Sequence, residues 1–304
     1  LCATGMHAES FVADVSDFQK AQDVVESILE RLIEEQAGGE PRKAQRLRDD
    51  LAPLIGDKLQ GFTPGSETAD EVKKVLTNAG IWSQYLEVGI GKDAEIFSKA
   101  PPMASVGVGH EIGIRADSSW NNPEPETVLA ITSAGNIVGA TLGNDVNLRD
   151  FEGRSGLLLN VAKDNNASCA IGPFIRLFDD NFTINNILTM EISLEIYGED
   201  SYEVKGINRM NQISRSPQEL VTQLINSNHQ YPDGVMLFLG TMFVPTKDRL
   251  SPDSGFTHKV GDKVVISSPE LGSLINWVNL CDQITPWRFG ILALIDNLHE
   301  RDLL

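Results

Sequence analysis

The apolar residues of this chain change period at Gly80, and any fold it adopts must accommodate both periods. Before that point Val24, Val25, Ile28, Leu29, Leu32 and Ile33 recur at helical spacing with charge on the opposite face. This predicts a helix that Gly38-Gly39-Glu40-Pro41 ends, and two more are expected over about 43–54 and 68–78. After Gly80 the apolar residues come in short alternating runs, read as strands at 94–98, 111–115, 127–132, 137–142, 170–177, 191–197, 202–207, 235–239 and 263–267. Gly198-Glu199-Asp200 reads as a hairpin loop, and helices interrupt at 149–159, 217–226 and 289–299. Strands outnumber helices and do not alternate regularly with long ones. That argues against a doubly wound parallel sheet and predicts an α+β, mainly β body. The expected organisation is an acidic helical N-terminal segment over residues 1–80 and a second domain over 81–304.

Composition narrows the function. The 304 residues include 43 acidic and 25 basic side chains, a formal net charge of −18. No basic stripe marks a nucleic-acid partner, and no run of about 18 apolar residues marks a membrane span. Cys2, Cys169 and Cys281 are odd in number and far apart. They fit a reducing, cytoplasmic setting and exclude a disulfide scaffold or a cysteine-based zinc site. The five histidines are scattered, and P-loop, His-Glu-x-x-His and Gly-x-Ser-x-Gly motifs are absent. The start, Leu1-Cys2-Ala3-Thr4, reads as truncated or processed and not as a signal peptide.

The informative stretch is Asn122-Pro123-Glu124-Pro125-Glu126. A proline on each side of Glu124 forces extended backbone, so Glu124 and Glu126 project to one face with Cβ atoms roughly 7 Å apart. Pro125 cannot donate to a ladder and marks a strand entrance. Two carboxylates at the mouth of a buried strand must protonate, face water or hold a cation. A third acid, Asp145, follows in Gly143-Asn144-Asp145-Val146-Asn147. The turn Ser133-Ala134-Gly135-Asn136 makes the two strands an antiparallel pair, and counting outward brings Asp145 to the end that carries the glutamates. Spacing alone leaves two readings open, a hard-metal site and a solvated acidic edge. Lys163 stands before the apolar strand Cys169-Ala170-Ile171-Gly172-Pro173, where a lysine is ordinarily a surface charge. Gly240-Thr241 ends another strand and offers a backbone N–H and a hydroxyl to an anion, or forms only a turn.

Taken in order, Pro-Glu-Pro-Glu, Gly-Asn-Asp-Val-Asn-Leu-Arg-Asp, a lysine before Ala-Ile-Gly-Pro, and Leu-Gly-Thr resemble the fumarylacetoacetate hydrolase superfamily. The branch it looks most like is that of the sugar-acid dehydratases, which Ile81-Trp82-Ser83-Gln84-Tyr85, Glu95-Ile96-Phe97, Phe151-Glu152-Gly153-Arg154 and Gly255-Phe256-Thr257-His258-Lys259 also resemble. The resemblance covers about residue 25 to the C-terminus. It implies a mixed β-roll with flanking helices, and a metal-dependent catalytic domain over 81–304. Glu124, Glu126 and Asp145 would bind Mg²⁺, with Mn²⁺ or Ca²⁺ as alternatives. Lys163 corresponds to the family's active-site lysine, Thr241 (with Gly240) to the contact with the substrate carboxylate, and Glu95 to an acid near the substrate. Arg149, one helical turn after Asp145, is a further substrate-binding candidate. The family's small N-terminal domain is expected to be missing or reduced here.

The implied reaction is dehydration of a 2-keto-3-deoxy sugar acid, a small anionic keto acid. A pentonate would give 2-oxoglutarate semialdehyde through a metal-stabilised enolate. Lys163, made neutral by a nearby cation, and Glu95, raised in a partly dry pocket, are both candidates for the base. One alternative is hydrolysis of a C–C bond in an acylpyruvate-like β-diketo acid, for which the adjacent His110 and Glu111 face opposite ways and make a poor pair. Another is a non-catalytic relic that binds a metal or a sugar acid. A homodimer or homotetramer is the family's usual state.

Overall fold

The computed structural model describes residues 21–304 except 39, 57, 59–62 and 253. Expectations about the start of the chain lie outside the described residues. In chain order the helices are α1 (Ala21–Ala37), α2 (Pro41–Ile55), α3 (Glu67–Asn78), α4 (Gln84–Ile90), α5 (Arg149–Glu152), α6 (Leu159–Lys163), α7 (Ile184–Thr189), α8 (Pro217–Leu224) and α9 (Ile291–Glu300). The strands are β1 (Glu111–Ile114), β2 (Asn121–Asn122), β3 (Pro125–Ile131), β4 (Ile137–Asp145), β5 (Asn147–Leu148), β6 (Cys169–Leu177), β7 (Glu191–Tyr197), β8 (Glu203–Arg209), β9 (Val235–Phe238), β10 (Lys263–Ser268) and β11 (Gly272–Leu280).

Contacts divide the chain into two compact units. One holds residues 21–96 with Gln212–Gln230, so the boundary expected after residue 80 falls inside it. Its helices start where the sequence supplies caps. Pro41 opens α2, and the Ser66 and Ser83 hydroxyls accept from the N–H groups of Ala69 and Leu86 at the heads of α3 and α4. Leu51, Ile55, Val72, Leu76 and Leu86 are buried. The strand expected at 94–98 does not form. Among the described residues no strand pairs with it; the Gln223 amide of α8 accepts from the Ala94 N–H at 2.6 Å and donates to the Lys92 carbonyl at 3.3 Å. The buried Arg215 ties α8 to the carbonyls of Val88 and Gly91.

The other unit, Phe97–Asn211 with Tyr231–Leu304, carries the sheets. A four-stranded antiparallel sheet runs β6-β4-β3-β9, and a five-stranded sheet runs β1-β11-β10-β7-β8, with β1 and β11 parallel and the rest antiparallel. The two-residue strands β2 and β5 pair separately. This is the mixed α+β architecture expected from the sequence. In β7 and β10 burial alternates, so one face looks inward with Ile192, Leu194, Ile196, Val264 and Ile266, and the other outward. β3 lies between β4 and β9 and is buried at every position, which explains its unbroken apolar run. Burying each large aliphatic side chain stabilises the unit by about 1.5–3 kcal/mol.

The turn at Gly135, with φ +79°, closes the β3–β4 hairpin as the sequence predicted. The register sets Pro125 opposite Asn144 and Glu126 opposite Gly143. Gly143 permits that approach: a Cβ there would stand 2.3 Å from the Phe238 ring and 2.5 Å from a Val128 methyl. The single helix expected over 149–159 is broken at Gly153 and Ser155 into α5, a 3₁₀ turn over Gly156–Leu158, and α6. β5 stands between Asp145 and Arg149, so Arg149 is not one helical turn beyond Asp145.

Candidate metal centre

The hairpin brings the three acids together. Glu124 enters β3, Glu126 is its second residue, and Asp145 is the last residue of β4; the Asp145 N–H donates to the Glu124 carbonyl at 3.1 Å. One carboxylate oxygen from each of Glu124, Glu126 and Asp145 lies within 4.8 Å of the others. Glu126 and Asp145 are buried, and Glu124 keeps only a little solvent contact. The solvated-edge reading is therefore excluded.

Lys163 closes one side. It is the last residue of α6 and is buried, not on the surface. Its Nζ donates to Glu124 Oε2 at 2.5 Å and Asp145 Oδ2 at 3.0 Å, and sits 5.8 Å from the centre of the Phe97 ring. Burial works to lower the Lys163 ammonium, but Asp145 and Glu124 outweigh it and hold it charged. The neutral amine expected beside a cation therefore requires that the carboxylates be occupied.

Lys99 escaped the sequence reading. Buried ahead of Pro101-Pro102, its Nζ donates to the carbonyls of Val146 (2.9 Å) and Lys163 and to Ser168 Oγ (3.5 Å). It also lies 2.8 Å from Asp145 Oδ1. That approach lacks hydrogen-bond alignment, and Asp145 Oδ1 is buried without a hydrogen bond. The only sequence signal was a lysine in a segment otherwise apolar and proline-rich. Asn147 was also missed; its amide donates to Glu124 Oε1 at 2.9 Å and Glu152 Oε2 at 2.6 Å, bringing a fourth carboxylate to the cluster.

Electrostatics show an unfinished balance. Burial pushes the Glu124 carboxyl up to about 7 against the pull of Lys163. Burial, Asp145 and Glu124 push Glu126 well above the ordinary carboxylate range. Burial acts upward on Asp145 too, but Lys163 and Lys99 bring it below its ordinary value. Four carboxylates facing two lysines leave two negative charges in excess when all are ionised. A buried oxygen without a hydrogen bond, an all-oxygen donor set and that excess fit a hard divalent ion such as Mg²⁺.

The remaining candidates are placed as follows. The Gly240 N–H donates to Glu126 Oε2 at 2.6 Å, so it orients a carboxylate of the cluster. The Thr241 hydroxyl donates to the Phe243 carbonyl at 2.7 Å in a local turn. Arg149 begins α5 with its guanidinium 4.7 Å from the centre of the Trp120 ring. Glu95 belongs to the helical unit and is exposed. His110 is exposed ahead of β1, and Glu111 accepts from the Asn279 amide at 2.8 Å.

Mixed sheets that gather three carboxylates, two of them buried, at the end of one hairpin define a candidate metal-binding protein with oxygen donors alone. The chain belongs to the fumarylacetoacetate hydrolase family: residues 102–279 match the model described as fumarylacetoacetate (FAA) hydrolase C-terminal. It is 36% identical over 191 residues to 2-dehydro-3-deoxy-D-arabinonate dehydratase of Saccharolobus solfataricus, covering 63% of this chain and 60% of that protein. It is 34% identical over 194 residues to a Haloferax volcanii protein named "Probable 2-keto-3-deoxyxylonate dehydratase", covering 64% and 63%. The match thus spans somewhat less than two thirds of these relatives' length. A solved structure of 2-keto-3-deoxy-D-arabinonate dehydratase complexed with magnesium and 2,5-dioxopentanoate superposes with a TM-score of 0.57 at 34% identity, covering 65% of this chain and 66% of that one.

Proposed function

We propose that this chain is a hydro-lyase that dehydrates a 2-keto-3-deoxy sugar acid, a pentonate, to 2-oxoglutarate semialdehyde with Mg²⁺ held by Glu124, Glu126 and Asp145. The observation that carries the reading is the convergence of those three carboxylates, with Lys163 bridging two of them. The similarity to dehydratases of arabinonate and xylonate derivatives, one of them solved with magnesium and 2,5-dioxopentanoate, supports the choice of substrate class.

In this reading Glu124, Glu126 and Asp145 would hold the Mg²⁺, which when bound would supply Lewis-acid stabilisation of the charge that develops when the C3 proton leaves. Lys163 exchanges a proton with the substrate at C3 or at the C4 oxygen, and Glu95 is assigned the other transfer from the family resemblance alone. The C3–H and C4–O bonds break, water leaves, and the unsaturated product tautomerises to the aldehyde. Lys163 also orients Glu124 and Asp145, and Gly240 orients Glu126. Arg149 and Thr241 are assigned to the substrate's anionic end, again from the resemblance. Each proton-transferring group contributes on the order of 10²–10⁴-fold.

The test is to incubate the protein and Mg²⁺ with a 2-keto-3-deoxypentonate and, separately, with an acylpyruvate. Release of 2,5-dioxopentanoate from the first is expected. Cleavage of the acylpyruvate with the pentonate untouched would replace the reading with C–C hydrolysis, and Mg²⁺ binding without turnover of either would leave a binding protein.

A further inference from the structure

Four strands of the five-stranded sheet align one outward row of side chains. Ile112, Ile196, Val264 and Val278 are buried on the inner face, so their neighbours Glu111, Tyr197, Lys263 and Trp277 project outward. The register sets Glu111 beside Trp277, Trp277 beside Lys263, and Lys263 beside Tyr197. Neighbouring strands lie about 4.8 Å apart, so the two aromatic residues stand roughly 10 Å from one another across Lys263. The hairpin loop at Gly198-Glu199 and the turn at Val260-Gly261 wall one end, and together they line a cleft of about 540 Å³. That size suits a small-molecule site, and none of its residues belongs to the metal cluster.

The cleft is open to a ligand and held in shape. Trp277 is 40% exposed, and the Asn279 amide fixes Glu111 by donating to its Oε1 at 2.8 Å. Arg249 donates to Asp200 Oδ1 at 3.0 Å and Lys259 to Asp200 Oδ2 at 2.7 Å, which anchors the loop that carries Glu199. Among the described residues, the second Glu111 oxygen, the Glu199 carboxylate, the Lys263 ammonium and the Trp277 indole N–H have no hydrogen-bond partner. Charge then selects the ligand. A cation drawn by the two carboxylates would meet Lys263, and an anion drawn by Lys263 would meet Glu111 and Glu199. A neutral sugar ring incurs neither repulsion. Its hydroxyls donate to the carboxylates and accept from the ammonium and the indole N–H, and its C–H face lies against an aromatic ring. Lys263 Nζ, 6.0 Å from the centre of the Trp277 ring, is at the outer limit of a cation–π contact and is free to turn to a hydroxyl.

We propose that the outer face of this sheet carries a second small-molecule site, for a neutral aldose, with the sugar ring against Trp277 and its hydroxyls on Glu111, Glu199 and Lys263. The site needs neither the metal centre nor the reaction proposed for it. A ligand of about ten heavy atoms at ordinary ligand efficiency binds in the millimolar range. Saturation-transfer difference NMR on the full chain, with D-xylose and D-glucose each titrated to about 50 mM, tests the proposal. Saturable transfer from at least one sugar is expected, with affinity about tenfold weaker in Trp277→Ala and unchanged in Lys163→Met. Glu199→Gln, at an exposed position, should weaken binding by about threefold. Trp277 and Glu199 both stand on the surface, so these variants keep the wild-type circular dichroism. No saturation by either sugar, equal affinity in wild type and Trp277→Ala, loss of binding in Lys163→Met, or saturable binding of L-serine or betaine in place of the sugars would overturn the proposal.

Discussion

Two clusters of buried charge lie in the sheet unit, and they are finished to different degrees. Around Asp262 both carboxylate oxygens are met, and only the far nitrogen of His258, Nε2, is buried without a hydrogen bond. Arg249 donates to its two oxygens at 2.5 and 2.6 Å, His258 Nδ1 lies at 3.1 Å, and the Lys259 N–H donates at 3.0 Å. Burial pushes Asp262 upward, but His258 and Arg249 outweigh it and keep it below its ordinary value. Around Glu124, Glu126 and Asp145 negative charge exceeds positive and two carboxyls are driven upward. A carboxylate whose charge is balanced on the spot asks nothing of a cation. An unbalanced one stores a demand that a cation meets.

The comparison can be broken experimentally. The largest effect on stability is expected from Asp262→Ala, which removes one of the two carboxylates that hold the buried Arg249 and leaves Asp200 alone. Chemical denaturation should show a loss of about 3 kcal/mol. The carboxyl's depressed value adds a pH signature: its stabilisation is present above about 3.8 and is lost as pH falls further, so the wild-type advantage over the variant should shrink in acid. Lys163→Met should lower kcat on the pentonate by about 10²–10⁴-fold while the fold survives, read by steady-state kinetics beside thermal melting.

Mg²⁺ affinity, followed by calorimetry, should rise as pH increases through about 7, because binding takes the proton that Glu124 otherwise holds. A pH-independent affinity would break the contrast between the clusters. The smallest effect has the opposite sign to the first. Glu126→Gln keeps the acceptor for Gly240 and removes an acid whose folded value is raised. Such a group destabilises the fold increasingly as pH rises above its unfolded value of about 4.5. The metal-free variant should therefore be more stable than wild type by about 1 kcal/mol at neutral pH, with the gain vanishing in acid.

The sequence displayed the three acids of the candidate metal centre better than it displayed what surrounds them. Glu124 and Glu126 were legible because two prolines dictate the backbone on either side, and Asp145 because a turn of fixed length counts residues outward. β7 and β10 were legible from alternation. β11 was not, since Leu274-Ile275-Asn276-Trp277 places a buried asparagine where the alternation needs an apolar residue. That Asn276 bonds the carbonyls of Gly107 and His110, a partner set no local pattern contains. The 94–98 run alternates as a strand does, but alternation does not supply a neighbour. The burial of Lys99 and Lys163 is a tertiary property: both ammonium groups are drawn in by carboxylates distant in sequence.

Lys99 holds the Lys163 carbonyl and stands against Asp145. A proposed proton-carrying residue and a proposed metal ligand therefore hang from one peg. Their separation cannot drift as the loops around them diverge, and any relative that resets one must re-seat the other. Variation in what such a pocket accepts is thereby channelled to its rim, where no shared peg constrains the choice.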